Sequence, residues 1–384
     1  MPGKIRIGIV GMGAAGWAFV PAIRGNPAFE LAAVADPVAD MREAAAKETG
    51  AAPYADLPSM LQAANLEAVY IATPTELHPE HVATVCAAKK HVLTEKPMAI
   101  RIDQAQAMIA AAERAGVVLQ VGHSHSYDLP IARMRDIVVS GKLGRVRMIH
   151  TWNYTDWMAR PRRAAEFDIG QGGGVTYRQG AHQIDILRLI GGGLVKSVRA
   201  AMFDWDPNRR SIGAHTMFLN FSDGAAATAI YNGYGHFSGA ELTSGVAEWG
   251  DLQRLRSESN AAAPLSAEQE LAAKRKRARS AIPTNAPHQP HFGLTLVSCE
   301  RGDIRQSPDG LLVYSDKGRE EIALPKDKSP RDLVIAEFAD AIAGKAVTHT
   351  GRWGLANLEV CTAAIESSRT GKEIELKHQV AVAN

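Results

Sequence analysis

The chain has 384 residues, 46% of them hydrophobic, enough to bury a sizeable core without disulfides and to form two domains. Forty-three Lys+Arg against 41 Asp+Glu leave a formal charge of +2, which argues against a general nucleic-acid binder. No uninterrupted run of about 18 apolar residues marks a membrane span, the N-terminus lacks a signal-peptide core, and Cys86, Cys299 and Cys361 lie far apart with no metal spacing. These features lead to the expectation of a soluble, cytoplasmic protein with free thiols.

Residues 4–10 read as a strand rich in β-branched residues, followed by a glycine-rich turn and a helix. A second strand is predicted at 29–35, a helix at 40–48, a third strand at 67–72, a helix at 78–88 and a fourth strand at 91–94. An alanine-rich helix at 102–115 and a fifth strand at 117–121 complete the alternation. Strands alternating with helices across short loops imply a parallel sheet covered on both faces. The pattern stops near residue 125.

Beyond it, helices are predicted at 131–140 and 178–189, and strands at 146–154, 195–205, 214–221, 225–234, 292–299 and 311–315. Strands without intervening helices suggest a mostly antiparallel sheet, closed by helices at 332–343 and 353–369. The expected fold is therefore α/β: a Rossmann dinucleotide-binding unit at 1–125, then an α+β unit at 126–384 with a large, open, mostly antiparallel sheet. Residues 251–290 read as an insertion. Its run Lys274-Arg275-Lys276-Arg277 reads as a solvated helix end in preference to a nucleic-acid patch, because the whole chain is nearly neutral.

Gly11-Met12-Gly13-Ala14-Ala15-Gly16 follows the first strand and opens a helix, the context a G-x-G-x-x-G fingerprint requires. Gly11 allows the tight turn, Gly13 lets backbone approach a pyrophosphate, and Gly16 lets helix and strand pack closely. The helix N-terminus offers free N–H groups to phosphate. Asp36 ends the second strand, where its carboxylate can accept from both ribose hydroxyls and would repel a 2′-phosphate. The expected cofactor is therefore NAD.

Further signals follow in order: Ala72-Thr73-Pro74 with His78, Glu95-Lys96-Pro97, Gly172-Gly173-Gly174, and Gly180-Ala181-His182-Gln183-Ile184-Asp185. With the C-terminal Leu358-Glu359-Val360-Cys361 and Ile365 to Lys372 run, they make nearly the whole chain resemble the glucose–fructose oxidoreductase / inositol dehydrogenase / rhizopine catabolism superfamily. The resemblance implies that Lys96 and His182 act together at a substrate hydroxyl. It also puts Thr73, Pro74, His78, Glu95 and Lys96 beside the cofactor. Chemically, a neutral histidine can take the hydroxyl proton as hydride leaves carbon, and an ammonium can stabilise charge on oxygen.

One departure bears on substrate. Many family members carry Asp four residues before the catalytic histidine, and here Arg178 stands there. Helical spacing predicts that Arg178, His182 and Asp185 share a face. A guanidinium there suits a substrate carboxylate, with an Arg178–Asp185 ion pair as the alternative. Asn153, Tyr154 and Asp156 lead into Arg160-Pro161-Arg162-Arg163, flanked by Trp152 and Trp157, which fits a ring-sized acidic substrate. His123 and His125 are expected at a substrate-contacting loop and not at a metal site.

Within the family, Trp152 to Trp157, Gly170 to Gly174 and Arg178 to His182 most resemble the enzymes acting on phthalate 4,5-cis-dihydrodiol. That resemblance implies oxidation of a small acidic cyclic diol to 4,5-dihydroxyphthalate by a homodimer or homotetramer. Two alternatives stay open: an NAD-dependent sugar or inositol dehydrogenase of the same fold, and a non-catalytic NAD-binding regulator.

Overall fold

The computed structural model describes residues 3–253, 265–278 and 286–383. Parts of the expected insertion, 254–264 and 279–285, lie outside the described residues.

The first layer contains β1 (Ile5–Val10), α1 (Ala14–Gly25), β2 (Phe29–Ala35), α2 (Ala39–Thr49), β3 (Ala52–Tyr54), α3 (Leu57–Ala63), β4 (Ala68–Ile71), α4 (His78–Ala87), β5 (His91–Thr94), α5 (Ile102–Ala115) and β6 (Leu119–Val121). The strands form one sheet in the order β3-β2-β1-β4-β5-β6, and every pairing is parallel. β4 is buried along its whole length, as a strand covered on both faces must be. The order reverses at β1–β4, so the carboxyl ends of these two strands frame the crevice where ligands bind in open α/β sheets.

The second layer contains α6 (Leu129–Val139), β7 (Val146–Tyr154), α7 (Ala181–Ile190), β8 (Val195–Phe203), β9 (Ala214–Phe221), β10 (Ala226–Asn232), α8 (Ala267–Arg277), β11 (Leu294–Cys299), β12 (Gly302–Ser307), β13 (Gly310–Ser315), β14 (Gly318–Ala323), α9 (Pro330–Ile342), α10 (Gly351–Thr370) and β15 (Ile374–Glu375). Nine strands pair in the order β14-β13-β12-β11-β7-β10-β9-β8-β15. All of these pairings are antiparallel except β7 with β10.

α7 and α10 pack against one face of this sheet. On the other, Met148, Trp152 and Phe218 stand exposed. α9 returns to the first sheet, where Val334, Ile335 and Phe338 join Ile7, Ile9, Phe19 and Phe29 in one apolar cluster. That return carries Arg331, at the start of α9, back over α1.

Several sequence expectations are corrected. The strand at 68–71 is the fourth, because β3 and α3 precede it, and β12 and β14 were not anticipated. The helix expected at 178–189 is a π-helical turn at Thr176–Gly180 running into α7. A π turn spaces its hydrogen bonds at five residues, so positions four apart no longer stack on one face.

Candidate active site

Gly11 has φ +94, and a Cβ there would meet the Ala72 carbonyl oxygen at 2.7 Å. A Cβ at Gly16 would lie 2.1 Å from the Gly11 carbonyl oxygen, so helix and turn pack too closely for any side chain. Gly13, by contrast, faces open space. The N-terminus of α1 has no side-chain cap, which leaves donors for a phosphate. Asp36 accepts from the Met12 N–H at 2.8 Å and the Val38 N–H at 2.9 Å, holding its carboxylate beside the glycine turn. Glycines without room for a Cβ, an open approach at Gly13, an uncapped helix and a fixed acid together fit a dinucleotide: Gly11 to Gly16 would cradle its pyrophosphate and Asp36 would meet its ribose.

From Ala14 and Ala15 a cavity of about 260 Å³ runs to Glu95, Lys96, Ser124 and His182. Its walls also carry Arg160, Arg162, Glu248, Trp249, Lys274, Arg277 and Arg331. The structure thus joins the glycine turn, Lys96 and His182, residues that come from separate elements far apart in sequence.

Lys96 follows β5, and its ammonium donates to the Arg178 carbonyl oxygen at 3.0 Å. Burial pushes its pKa down to about 8. His182 is 6% exposed, and its Nδ1 is buried with no hydrogen-bond partner. Burial, then the nearby Lys96 charge, hold its pKa well below the ordinary histidine value, so the ring is neutral near pH 7. A neutral imidazole beside a depressed ammonium can receive a hydroxyl proton while the ammonium faces the resulting oxyanion. Glu95 accepts from the Tyr70 hydroxyl at 2.7 Å.

Other expected residues stand around this cavity without lining it. His78 lies between the Thr73 and Pro97 carbonyl oxygens, at 2.9 and 3.1 Å, and braces the two loops from behind. Thr73 meets His81 at 3.1 Å, and Pro74 precedes the next short turn. His78, Thr73 and Pro74 do not line the cavity.

Asp185 is fully buried and accepts from Trp353 Nε1 at 2.6 Å and Asn357 Nδ2 at 3.0 Å. It fastens α7 to α10 and stands away from the cavity. Arg188 continues the fastening, with its guanidinium 3.7 Å above the Trp353 ring and 2.7 Å from Asn357 Oδ1. His123 meets Asn357 at 3.0 Å behind the site.

Asn153, Tyr154 and Asp156 line an adjoining cavity that shares Arg160, Glu248 and Trp249 with the first. Arg160 ion-pairs with Asp156 at 2.7 Å. Arg162 stacks 4.2 Å from the Trp157 ring centroid with its Nε unpartnered. Arg163 is committed to Glu76 at 2.8 Å.

Arg178 donates to Thr75 at 3.2 Å, while its buried Nε and Nη2 have no partner. It forms no ion pair with Asp185, whose Oδ1 accepts from α10 and whose Oδ2 lies 3.7 Å from His349 Nε2. Among the described residues, no group of three His, Cys, Asp or Glu side chains converges as a metal site.

The basic run is not simply a solvated end. Lys274 ion-pairs with Glu166, and Lys274 and Arg277 line the cavity. Glu248, Trp249 and Arg331 were missed as well. Loop residues 246–249 carry no regular pattern. Arg331, however, sits in the first turn of α9, where the helix dipole disfavours a cation, and that misplacement was a readable sign.

Residues 5–123 match an oxidoreductase family with an NAD-binding Rossmann fold, and residues 131–239 match the C-terminal domain of the same GFO/IDH/MocA family. The chain belongs to this family. It is 36% identical, over 95% of both chains, to a protein of Comamonas testosteroni named 1-carboxy-3-chloro-3,4-dihydroxycyclo hexa-1,5-diene dehydrogenase. A solved structure from Bordetella bronchiseptica RB50 is 39% identical and superposes with a TM-score of 0.90, covering 97% of this chain and 100% of that one. An Agrobacterium radiobacter oxidoreductase solved with NAD+ and L-tartaric acid shares the fold at a TM-score of 0.73 and 18% identity, covering 97% and 98% of the two chains. This chain of the GFO/IDH/MocA family is an NAD-dependent oxidoreductase.

Proposed function

We propose that the enzyme oxidises a ring carbinol of a carboxylated cis-dihydrodiol, with phthalate 4,5-cis-dihydrodiol as substrate and 4,5-dihydroxyphthalate as product. The observation that carries this reading is the arginine content of the cavity around Lys96 and His182. Arg160, Arg162 and Arg331 line it, Arg162 and Arg331 each with a buried, unpartnered Nε, and Arg178, in the turn before His182 but not itself in the cavity wall, holds two more buried, unpartnered donors. Buried guanidinium nitrogens without partners are costly unless a ligand satisfies them, and a carboxylate does so in the strongest geometry. The Comamonas relative, whose name describes a chlorinated dihydroxycyclohexadiene with one carboxyl group, supports a carboxylated ring diol as the substrate class.

Bound NAD supplies the hydride acceptor. His182 receives the hydroxyl proton, Lys96 stabilises the negative charge developing on that oxygen, and the arginines hold the ring carboxylates. Loss of hydride and proton leaves a hydroxy-ketone. This tautomerises to the catechol, and the gain of aromaticity drives the oxidation. Residues 1–125 serve the cofactor, and 126–384 serve the substrate and subunit contacts. The exposed Met148, Trp152 and Phe218 support assembly into a homodimer or homotetramer through the uncovered sheet face.

Product identity tests the reading. Incubation with the phthalate diol and NAD is expected to yield one NADH per 4,5-dihydroxyphthalate, measured by absorbance and chromatography. Absence of that catechol would refute the assignment.

A further inference from the structure

Glu248 sits at the junction of the two adjoining cavities and lines both. Its Oε1 lies 3.6 Å from His125 Nε2, and His125 Nδ1 lies 3.0 Å from Asp128 Oδ2. His125 and Asp128 are 1% and 0% exposed. The His125 ring meets the His182 ring edge-on, with centroids 4.6 Å apart. At 3.6 Å the contact between His125 Nε2 and Glu248 is of ion-pair length, too long for a hydrogen bond, so Nε2 has no hydrogen-bond partner. An Asp–His pair is thus buried against His182 with its free end turned toward a carboxylate at the cavity wall.

Apolar packing alone gives no reason to bury two ionisable groups there. The pair makes sense if it steers Glu248. Of the two carboxylates lining the cavity with Lys96, Glu95 is engaged by the Tyr70 hydroxyl. Glu248 forms no ion pair with a lysine or arginine among the described residues. It is the acceptor left for a substrate hydroxyl, at a site where Arg178 stands in place of the acid before His182.

We propose that Glu248 accepts a hydrogen bond from the hydroxyl adjacent to the one being oxidised, making the site selective for a vicinal diol. Resting on the dihydrodiol reading, this assigns His125 and Asp128 as positioning residues that hold the Glu248 carboxylate toward the ring. The oxidised hydroxyl stays with Lys96 and His182. The neighbouring hydroxyl donates to Glu248, and no bond to it is made or broken.

The test compares kcat/KM for the carboxylated cis-dihydrodiol with kcat/KM for the same carboxylated ring bearing a single hydroxyl. Glu248→Gln keeps the shape and removes the charge. It is expected to lower the diol-to-monool ratio at least tenfold, because a charge-assisted hydrogen bond is lost. Asp128→Asn is expected to move the ratio the same way by a smaller factor. An unchanged ratio in Glu248→Gln, or equal losses on both substrates, would overturn the proposal. If the wild-type enzyme instead oxidises inositol and leaves the dihydrodiol untouched, the substrate reading fails by itself. The same ratio is then measured with inositol and a deoxy-inositol lacking the adjacent hydroxyl, and the tenfold criterion still decides the role of Glu248.

Discussion

The Lys96 ammonium lies 3.0 Å from the carbonyl oxygen of Arg178. That single bond ties the loop after β5 to the π turn that leads into His182. It joins the cofactor-binding sheet to the element carrying the proposed proton acceptor, and it fixes where a reacting hydroxyl can sit.

The first prediction concerns that lysine. Lys96 aids oxidation as its protonated form, and burial pushes its pKa down to about 8. kcat/KM for diol oxidation should therefore fall as pH rises through about 8. Because burial holds His182 well below its ordinary pKa, little loss is expected between pH 7 and about 6. Lys96→Arg keeps a cation at higher pH and should remove the alkaline limb, while Lys96→Ala should lower kcat by about a hundredfold or more. A Lys96→Arg profile that still falls near pH 8 would assign that limb to another group.

Arg178 gives the second. Its two unpartnered donors are assigned to a ring carboxylate. Arg178→Ala should raise KM for a carboxylated diol by the loss of a charge-assisted hydrogen bond, about 1.5–3 kcal/mol, or roughly tenfold or more. KM for NAD should change far less. Steady-state kinetics with each substrate varied in turn checks this, and an unchanged diol KM removes Arg178 from the substrate site.

A third prediction concerns stability. His349 is buried, with Nδ1 3.0 Å from Glu337 and Nε2 3.7 Å from Asp185. Burial opposes its charge, but the two carboxylates raise its pKa to about 10. Because the folded value is raised, this stabilisation is fully present below the unfolded histidine pKa of about 6.5 and fades as pH climbs toward 10. His349→Gln should cost about 3–5 kcal/mol at pH 7, since it leaves buried carboxylates unpaired. Urea unfolding at pH 6 and pH 9.5 checks the sign: the gap between wild type and variant should narrow at the higher pH.

The parallel sheet was legible because its strands are short apolar runs bounded by turns and alternating with helices. β2 and β5 were placed at 29–35 and 91–94. β3 escaped because it has three residues with Pro53 among them, and β14 because Gly-Arg-Glu-Glu-Ile-Ala is almost wholly exposed and carries no apolar face. At the site, Lys96 and His182 were readable from local motifs. Asp185 was not, because its role is set by Trp353 and Asn357, more than 160 positions away. Arg178 was read as sharing a face with Asp185 on a regular helix, and the π turn at Thr176–Gly180 removes that spacing.

The most direct test is NADH formation by the wild-type enzyme on a matched panel: cis-dihydrodiols with two, one and no ring carboxylates, alongside myo-inositol and glucose. kcat/KM should be highest for the dicarboxylated diol and fall by roughly tenfold or more on removing a carboxylate, the loss of one charge-assisted contact. Comparable or greater turnover of the uncharged diol, inositol or glucose would contradict the acidic-diol assignment.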